Sequence, residues 1–498
     1  MSAEVPMSAK VPMSAEVPVT PAPPLIVNAD QPVDADRALL GGKGAGLFWM
    51  SALGLPVPPF FVLTTRAWRE WQQAGRLTDE HVGVVAEMLR WLEARTGRTF
   101  GTGPAPLLVS VRSTAAVSMP GMMDTILNLG MTPDVVGPLC RELGGLRTLG
   151  DVIATFVDTA TPVFDRSAGA PASVIPTGAH DQLVAAIDGV FASWNNDRAR
   201  LYRRINRIPD DDGTAVVVQA MIFGNADDRS GTGVLFSRDP VTGDETPTGE
   251  WVPSAQGEAI VSGRTTPVPV AELAAVQPDV FAELMAVAGQ LERAAGQPQD
   301  IEFTVQRGVL YLLQARTLKT GPLATCRIAL ALLDEGAVMT DEVRRRLSVL
   351  DLDELATQAI SAPQDARREL AGGLAASPGI AHGVVTREAT RSTSSASSPM
   401  VLVRPETSPH DLPAMRRAAA LVTERGGLTS HAAIVARELR IPCVVGCGPL
   451  DGLRDGSEVT VDGAGGAVYA GRLPVSRVIP DVVGRARSVL ARAPGAAS

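Results

Sequence analysis

The chain has 498 residues, 45% hydrophobic and 20% charged, enough to build more than one core. It contains no run of about 18 uninterrupted apolar residues. Its 54 acidic against 45 basic side chains leave a net charge of −9, so neither a membrane nor a nucleic acid is an expected partner.

Four cysteines (Cys140, Cys326, Cys443 and Cys447) are too few for a disulfide framework. The start lacks a basic stretch followed by an apolar one, so a cytoplasmic, multidomain protein is expected. Only Lys10, Lys43 and Lys319 are lysine; every other basic residue is arginine. Where charge alone suffices, arginine has filled the position. Lys43 therefore marks a place where a compact ammonium is needed.

In chain order, residues 1–18 repeat a six-residue unit as MSAEVP, MSAKVP, MSAEVP. Its regular prolines forbid a helix, and residues 1–24 read as a disordered leader. Folding is expected to begin at Leu25. Residues 25–320 mix helices with short strands: 107–112, 214–224, 233–240 and a pair around 300–316 read as strands, and 182–205 as helix. Residues 321–361 are almost all helical, with Gly336 stopping one helix and Thr340 capping the next, inside a linker expected to run to 375. Residues 376–473 begin a new unit with short strands at GVVTRE, MVLVRP, AALVTE, CVVGC and EVTVDG, and 391–399 reads as a surface loop. The remainder, 474–498, is a tail whose Arg-bearing helical stretch at 482–493 is expected to fray.

Residues 300–316 carry the most informative local pattern. With Gly308 in a three-residue hairpin loop, Ile301, Phe303, Val305, Val309, Tyr311 and Leu313 would share one face. Asp300, Glu302, Gln314 and Arg316 would share the other. Carboxylates beside an arginine suit Mg²⁺ and nucleotide phosphates; taken alone, the face reads equally as solvated sheet. GGKGAGL (41–47) sets Lys43 among glycines whose backbone can approach phosphates, although it lacks P-loop spacing. Arg112 ends a strand ahead of a small-residue loop, and Ser230–Gly233 forms a glycine-rich turn leading into another strand.

The second centre is ERGGLTSHAAIVARELRIPCVVGCG (424–448). Thr429 or Ser430 can N-cap a helix running through Arg440, which puts His431 in the first turn. There the positive helix end keeps the imidazole neutral and welcomes an attached phosphoryl group. A histidine packed at a helix start fits the local pattern as well. His81, His180, His382 and His410 read as surface or structural residues, and Cys443 and Cys447 as small buried thiols.

VRSTAAVSMPGMMDTILNLG (111–130) and GGLTSHAAIVAR (426–437) resemble the nucleotide-domain and phosphohistidine-domain signatures of the pyruvate, phosphate dikinase family. GGKGAGL, LGLPVPP (53–59), QAMIFGN (219–225), SGTGVLFSRDP (230–240), QDIEFT (299–304) and LVRPETSPHDL (402–412) extend the likeness in order over 25–473. The resemblance implies an α/β (α+β multidomain) chain: an ATP-grasp domain, a helical linker and a swivelling β/β/α phosphohistidine domain. It implies that Lys43 and Arg112 contact ATP phosphates. Glu250, Glu302, Gln314 and Arg316 would hold nucleotide and Mg²⁺, with Glu302 and Gln314 as metal ligands. Met123, Gln219 and Met221 would line the pocket, Gly233 would sit over the phosphates, and Glu258 would lie near the polyphosphate. His431 would take the β-phosphoryl group, while inorganic phosphate takes the γ-phosphoryl. Thr429 matches a threonine phosphorylated for regulation in plant dikinases; capping by Thr429 or Ser430 is the simpler role.

Two departures stand out. Gln256-Gly257-Glu258 is followed by Ala259 where the family usually has aspartate. The roughly 250 residues of the family's pyruvate-binding (β/α)₈ barrel also do not fit before Ser498. The expected acceptor is accordingly pyruvate on a separate PEP/pyruvate-binding barrel, or another small molecule or protein. A non-catalytic, nucleotide-binding regulatory remnant is the rival of a different class.

Overall fold

The computed structural model describes residues 23–491 except Ala35, Pro120, 168–174, 258–266, Glu354, Ala356 and 388–398. The repeat leader, Glu258, Ala259 and nearly all of the 391–399 segment therefore lie outside the described residues. Among those described, no helix is long and apolar enough to cross a membrane.

The first sheet is wholly antiparallel. It is built from β1 (Ile26–Asn28), β2 (Phe60–Leu63), β3 (Val109–Thr114), β4 (Thr125–Leu129) and β5 (Ala215–Ala220), in the order β1-β2-β5-β3-β4. Alternation along these strands feeds two cores. Phe61, Leu63, Val109, Val111, Val216 and Val218 pack toward helices that include Ala179–Ala192. Phe60, Val62, Ala215 and Val217 pack the other way, against α1 (Arg37–Ala52) and the second sheet. The helix expected over 182–205 is interrupted by a 3₁₀ turn at Ser193–Asn195 before resuming at Asp197–Asn206.

The second sheet is also antiparallel. It contains β6 (Gly231–Phe236), β7 (Thr248–Pro253), β8 (Val268–Pro269), β9 (Gln299–Gln306) and β10 (Val309–Thr317), in the order β8-β7-β6-β9-β10. Gly231 and Gly233 lie inside β6, not in a turn, and aromatic rings fill the space above them. A Cβ on Gly231 would stand 2.1 Å from the Trp251 ring, and one on Gly233 would stand 2.2 Å from the Phe303 ring.

The β9–β10 hairpin corrects the expected loop. Arg307 (φ 54°) and Gly308 (φ 77°) form a two-residue turn with both residues left-handed. Phe303, Val305 and Ile301 consequently face Leu312, Leu310 and Ala315, whereas Val309 is 51% exposed. The extra residue sits further along, as a bulge at Leu313. It shifts the register so that Glu302 still faces Gln314 and Asp300 faces Arg316.

After α2 (Pro322–Asp334) and α3 (Thr340–Ser348), the linker gives way to strands, so it is less helical than expected. Thr340 is itself the first helical residue, with Met339 at the cap position. Strand β11 (Thr357–Ile360) leads to an eight-stranded sheet: β12 (Glu369–Gly372), β13 (Leu374–Ser377), β14 (Ile380–Thr386), β15 (Met400–Arg404), β16 (Ala418–Thr423), β17 (Cys443–Val445), β18 (Glu458–Asp462) and β19 (Ala467–Ala470). Its order is β12-β19-β18-β14-β15-β16-β17-β13, parallel only across β14-β15-β16-β17. Helix α4 (His431–Leu439) covers one face.

The tail does not fray at its helix. Strand β20 (Val475–Val478) pairs antiparallel with β11, and α5 (Asp481–Ala491) buries Val483, Ala486 and Val489 against Cys326, Leu330, Val343 and Leu347 of α2 and α3. The chain thus enters and leaves the eight-stranded unit through one two-stranded ribbon.

The observed hairpin register makes a direct prediction. Leu312→Ala, which empties a fully buried site, should cost about 2–5 kcal/mol, and Val309→Ala, at an exposed one, should stay within about 0.5 kcal/mol. Urea unfolding of the two variants checks the order; the three-residue loop would reverse it.

Candidate active site

One cavity of about 1000 Å³ lies between the two antiparallel sheets and extends to α4. Lys43, Arg112, Met123, Gln219, Met221, Gly233, Glu302, Gln314 and Arg316 line it, and so do Thr429 and His431. Residues more than 380 positions apart in the chain thus face the same space. Glu250 is placed elsewhere, and Ser430 caps α4.

Lys43 is delivered by a helix, not by a phosphate-cradling loop. Gly41 (φ 68°) breaks α1, and a Cβ there would meet the Thr114 carbonyl oxygen at 2.1 Å. The N–H groups of Gly42 and Lys43 donate to Ala115 O and Thr114 Oγ1, each at 2.8 Å. Gly44 and Gly46 then let the helix lie close to Val62 and the Ala315 carbonyl. The glycines serve helix–strand contact, and their reward is a fixed Lys43. Its ammonium donates to Ser113 O at 3.2 Å. Desolvation, with Arg112 and Arg316 nearby, lowers its pKa from 10.5 to about 8, against the opposing pull of Glu302.

Arg112 lies on the β3 face opposite Val111. It donates to Gln219 Oε1 at 2.6 Å and to the Leu313 carbonyl at 3.2 Å. The bulge at Leu313 therefore has a second use, because it supplies an acceptor that aims a guanidinium. Burial lowers the Arg112 pKa, and its Nε has no partner among the described atoms. Arg316 donates to Asp300 Oδ2 at 2.8 Å. Burial opposes its charge, but Asp300 and Glu302 outweigh that and raise its pKa.

His431 begins α4, where Ser430 accepts the Ala433 N–H at 3.4 Å. Its Nδ1 lies 3.0 Å from the Thr407 hydroxyl. Burial lowers its pKa, while Asp411 and Glu438 pull the other way. A ring with Nδ1 engaged and the neutral form favoured has Nε2 available as a nucleophile.

The Glu250 carboxylate accepts the Leu428 N–H at 2.5 Å, the Thr429 N–H at 3.2 Å and the Thr429 hydroxyl at 2.7 Å. It is 4% exposed and does not line the cavity, so its position departs from the nucleotide-binding role that the resemblance implied. The reading of Thr429 as a cap also changes: Ser430 is the N-cap, and Thr429 hydrogen-bonds across to Glu250.

One contributor escaped the sequence reading. Thr407 sits in the quoted LVRPETSPHDL segment, but its meeting with His431 depends on how that segment returns to α4. Asp300 shares the expected face; its grip on Arg316 and its buried Oδ1, without a partner among the described residues, emerge only in three dimensions. Among the described residues, no group of three or more His, Cys, Asp or Glu forms a ready-made metal site. His81 is buried and closes a capping box with Thr78, and His382 meets the Leu473 carbonyl at 2.7 Å, both structural.

A nucleotide-binding unit joined to a histidine-bearing unit is the class these features define, and known proteins of that class are similar to this chain. Residues 82–271 match the family described as "Pyruvate phosphate dikinase, AMP/ATP-binding domain", and 396–466 match "PEP-utilising enzyme, mobile domain". The chain is 37% identical over 493 residues to pyruvate, phosphate dikinase of Clostridium symbiosum, covering 87% of this chain and 56% of the relative. It is 37% identical over 509 residues to that of Rhizobium meliloti (strain 1021), and 38% over 501 to pyruvate, phosphate dikinase 2 of Zea mays, covering 88% of this chain and 56% of each relative. The chain belongs to the pyruvate, phosphate dikinase family, and its nucleotide unit is ATP-grasp-like. It spans about half the length of the curated relatives it matches.

The lowered Lys43 value is directly testable, since the chain has only three lysines. After reductive ¹³C-methylation, the Lys43 signal should titrate near pH 8. Between about 8 and 10.5 the unfolded chain binds the extra proton, so this group makes the nucleotide-free protein more stable as pH rises through that window. A Lys43 midpoint at 10 or above would contradict the placement.

Proposed function

We propose that this chain is an ATP-dependent phosphotransferase in which His431 accepts the β-phosphoryl group of ATP. The observation that carries this reading is the shared cavity: His431 faces the space around which Lys43, Arg112 and Arg316 converge. Phosphates entering there would meet three cations already held by protein contacts, which is electrostatic preorganisation for phosphoryl transfer. Gln219, Met123 and Met221 would line the nucleotide pocket.

Glu302 and Gln314, paired across the bulge, fit Mg²⁺, which uses one or two carboxylates together with substrate phosphates. The buried Oδ1 of Asp300, unpartnered among the described residues, adds a further oxygen beside them. When bound, Mg²⁺ would neutralise polyphosphate charge.

Thr407 would hold the Nδ1 proton, so Nε2 attacks without losing one. A bond forms from Nε2 to the β-phosphorus as its link to AMP breaks. The β–γ link breaks when inorganic phosphate or water takes the γ-phosphoryl group. The phosphoryl group on His431 would then pass to pyruvate, giving phosphoenolpyruvate, on a PEP/pyruvate-binding barrel separate from the domains described. The mobile-domain match and the relatives' names support that choice over another small-molecule or protein acceptor. Residues 321–375, with the β11–β20 ribbon, would form the hinge for this swing. Free thiols at Cys140, Cys326, Cys443 and Cys447 support a reducing, cytoplasmic setting.

Incubation with [β-³²P]ATP should give an acid-labile phosphoprotein, and His431→Ala should not label. Equal labelling of that variant would refute the reading. Thr407→Val should slow labelling about 3- to 10-fold by freeing the ring. The rate should fall on the acid side at a pH below the ordinary imidazole value of 6.5, because the folded protein disfavours the charged ring. Adding pyruvate and a separately produced barrel should discharge the label to phosphoenolpyruvate. A nucleotide-binding remnant would bind ATP and never label.

A further inference from the structure

Thr407 touches His431, but a hydroxyl cannot by itself choose where the ring keeps its proton. Its oxygen can accept from an Nδ1–H or donate to a bare Nδ1, and the 3.0 Å separation suits both. The choice matters, because a proton on Nε2 would remove the lone pair that attacks phosphorus. A free histidine side chain prefers its proton on Nε2, so the surroundings of Nδ1 have to reverse that preference.

Asp411 is placed to do so. It is 6% exposed and ends the 3₁₀ turn Pro409–Asp411, shortly after Thr407 in the chain. Its Oδ2 accepts the Ser408 N–H at 2.8 Å and the Ser408 hydroxyl at 3.1 Å, and its own N–H donates to Ser408 O at 2.9 Å. In an ordinary capping box the serine hydroxyl would accept a helix N–H; here it donates to the carboxylate, so Asp411 takes both donors of Ser408. Ser408 adjoins Thr407, and the charge is thereby fastened behind the residue that meets Nδ1. Oδ1 lies 3.5 Å from the Arg404 guanidinium at the end of β15, long for a hydrogen bond, which steadies the carboxylate without cancelling it.

Other charges near the ring are less well placed. Burial lowers the His431 pKa, and of the two carboxylates that oppose it Asp411 has the larger influence. The second, Glu438, stands about two turns along α4 and is tied to Lys319. Lys43, Arg112 and Arg316 face the cavity from the nucleotide unit and offer no acceptor to a ring N–H.

We propose that Asp411 is a positioning residue that sets the tautomer of His431: its buried charge, acting through Ser408 and Thr407, keeps the ring proton on Nδ1 and the lone pair on Nε2. This rests on the phosphotransfer reading above for its purpose, but not for its measurement. In the transfer, the Nε2 lone pair forms the N–P bond, the electrons of the breaking P–O bond leave on AMP, and the Nδ1 proton stays in place. The ring then carries positive charge, which the same carboxylate stabilises.

Nitrogen NMR of ¹⁵N-histidine-labelled protein, without nucleotide and at about pH 8 where the ring is neutral, reads both ring nitrogens directly. The peaks lost in His431→Ala identify those of His431. Wild type should show Nδ1 protonated and Nε2 bare. Asp411→Asn keeps an oxygen for the Ser408 N–H but loses the charge. It should lower the ratio of Nδ1–H to Nε2–H at least about tenfold, the scale of one lost interaction with a charged group. Labelling at saturating ATP should slow by at least the fall in the Nδ1–H fraction, with the half-saturating ATP concentration within about twofold of wild type. A wild-type His431 protonated on Nε2 overturns the proposal without any variant. So does an unchanged ratio in Asp411→Asn even where labelling slows, because a residue that only shapes the turn would leave the proton where it is. Asp411→Glu keeps the charge and should stay within about threefold of the wild-type ratio; a loss as large as that of Asp411→Asn would trace the effect to shape and overturn the proposal as well. If Asp411→Asn fails to fold, Asp411→Ser also lacks the charge and is read in its place. Should the wild type never label, the phosphotransfer reading falls and the tautomer result stands.

Discussion

Three cations share one space in this protein, and much of the architecture can be understood as the means of keeping them there. Lys43, Arg112 and Arg316 come from a helix, an inner strand of one sheet and an edge strand of the other. Burial first, and repulsion from Arg112 and Arg316 after it, lower the affinity of Lys43 for its proton. Asp300 and Glu302 offset part of this, and fixed acceptors restrain the side chains: Ser113 O, Gln219 Oε1, Leu313 O and Asp300 Oδ2. The arrangement is costly when empty and favourable around a polyphosphate, which places its energetic benefit in the bound state.

That requirement explains local features that look arbitrary in isolation. The bulge at Leu313 returns Gln314 and Arg316 to the faces of Glu302 and Asp300 after a two-residue turn has set the outer half of the hairpin in another phase. It also frees a carbonyl for Arg112. The glycines around Lys43 let α1 press against β3 and β10, so that a long, flexible side chain starts from a rigid base. Rigid bases on two sheets are a firmer platform for charge than a loop would be.

On the phosphotransfer proposed above, the histidine unit obeys a different constraint, because it would have to approach this cleft and also leave it. Its contacts with the nucleotide unit include the buried Glu250 set, a small apolar patch at Leu428, a guanidinium over a ring and an exposed ion pair. Polar contacts of this kind are specific in direction yet recover much of their energy from water when broken. Both chain connections to the unit run through the β11–β20 ribbon, which α5 helps anchor to α2 and α3. A single paired root suits rotation as a body better than two separated attachments would.

Much of this was legible in the residues alone. Lys43 stood out by the scarcity of lysine, His431 by its place after Gly426-Gly427 and a capping serine, and the strands by their apolar runs. Residue type and short-range spacing suffice for such features, because helix starts, glycine breaks and acid–base character are local properties. What tertiary structure decided was which partner each side chain meets. The hairpin loop was misread because a bulge four residues beyond its strand's start can restore pairing that the turn had shifted. The terminal helix was misread because its apolar face finds a partner only in α2 and α3, far away in the chain. Glu250, which the resemblance set with nucleotide and metal, faces the loop before α4, and a carboxylate on a strand looks the same in sequence whether it faces a cavity or a neighbouring domain. Facing is set by long-range register and packing, and those are settled only when the whole chain has folded.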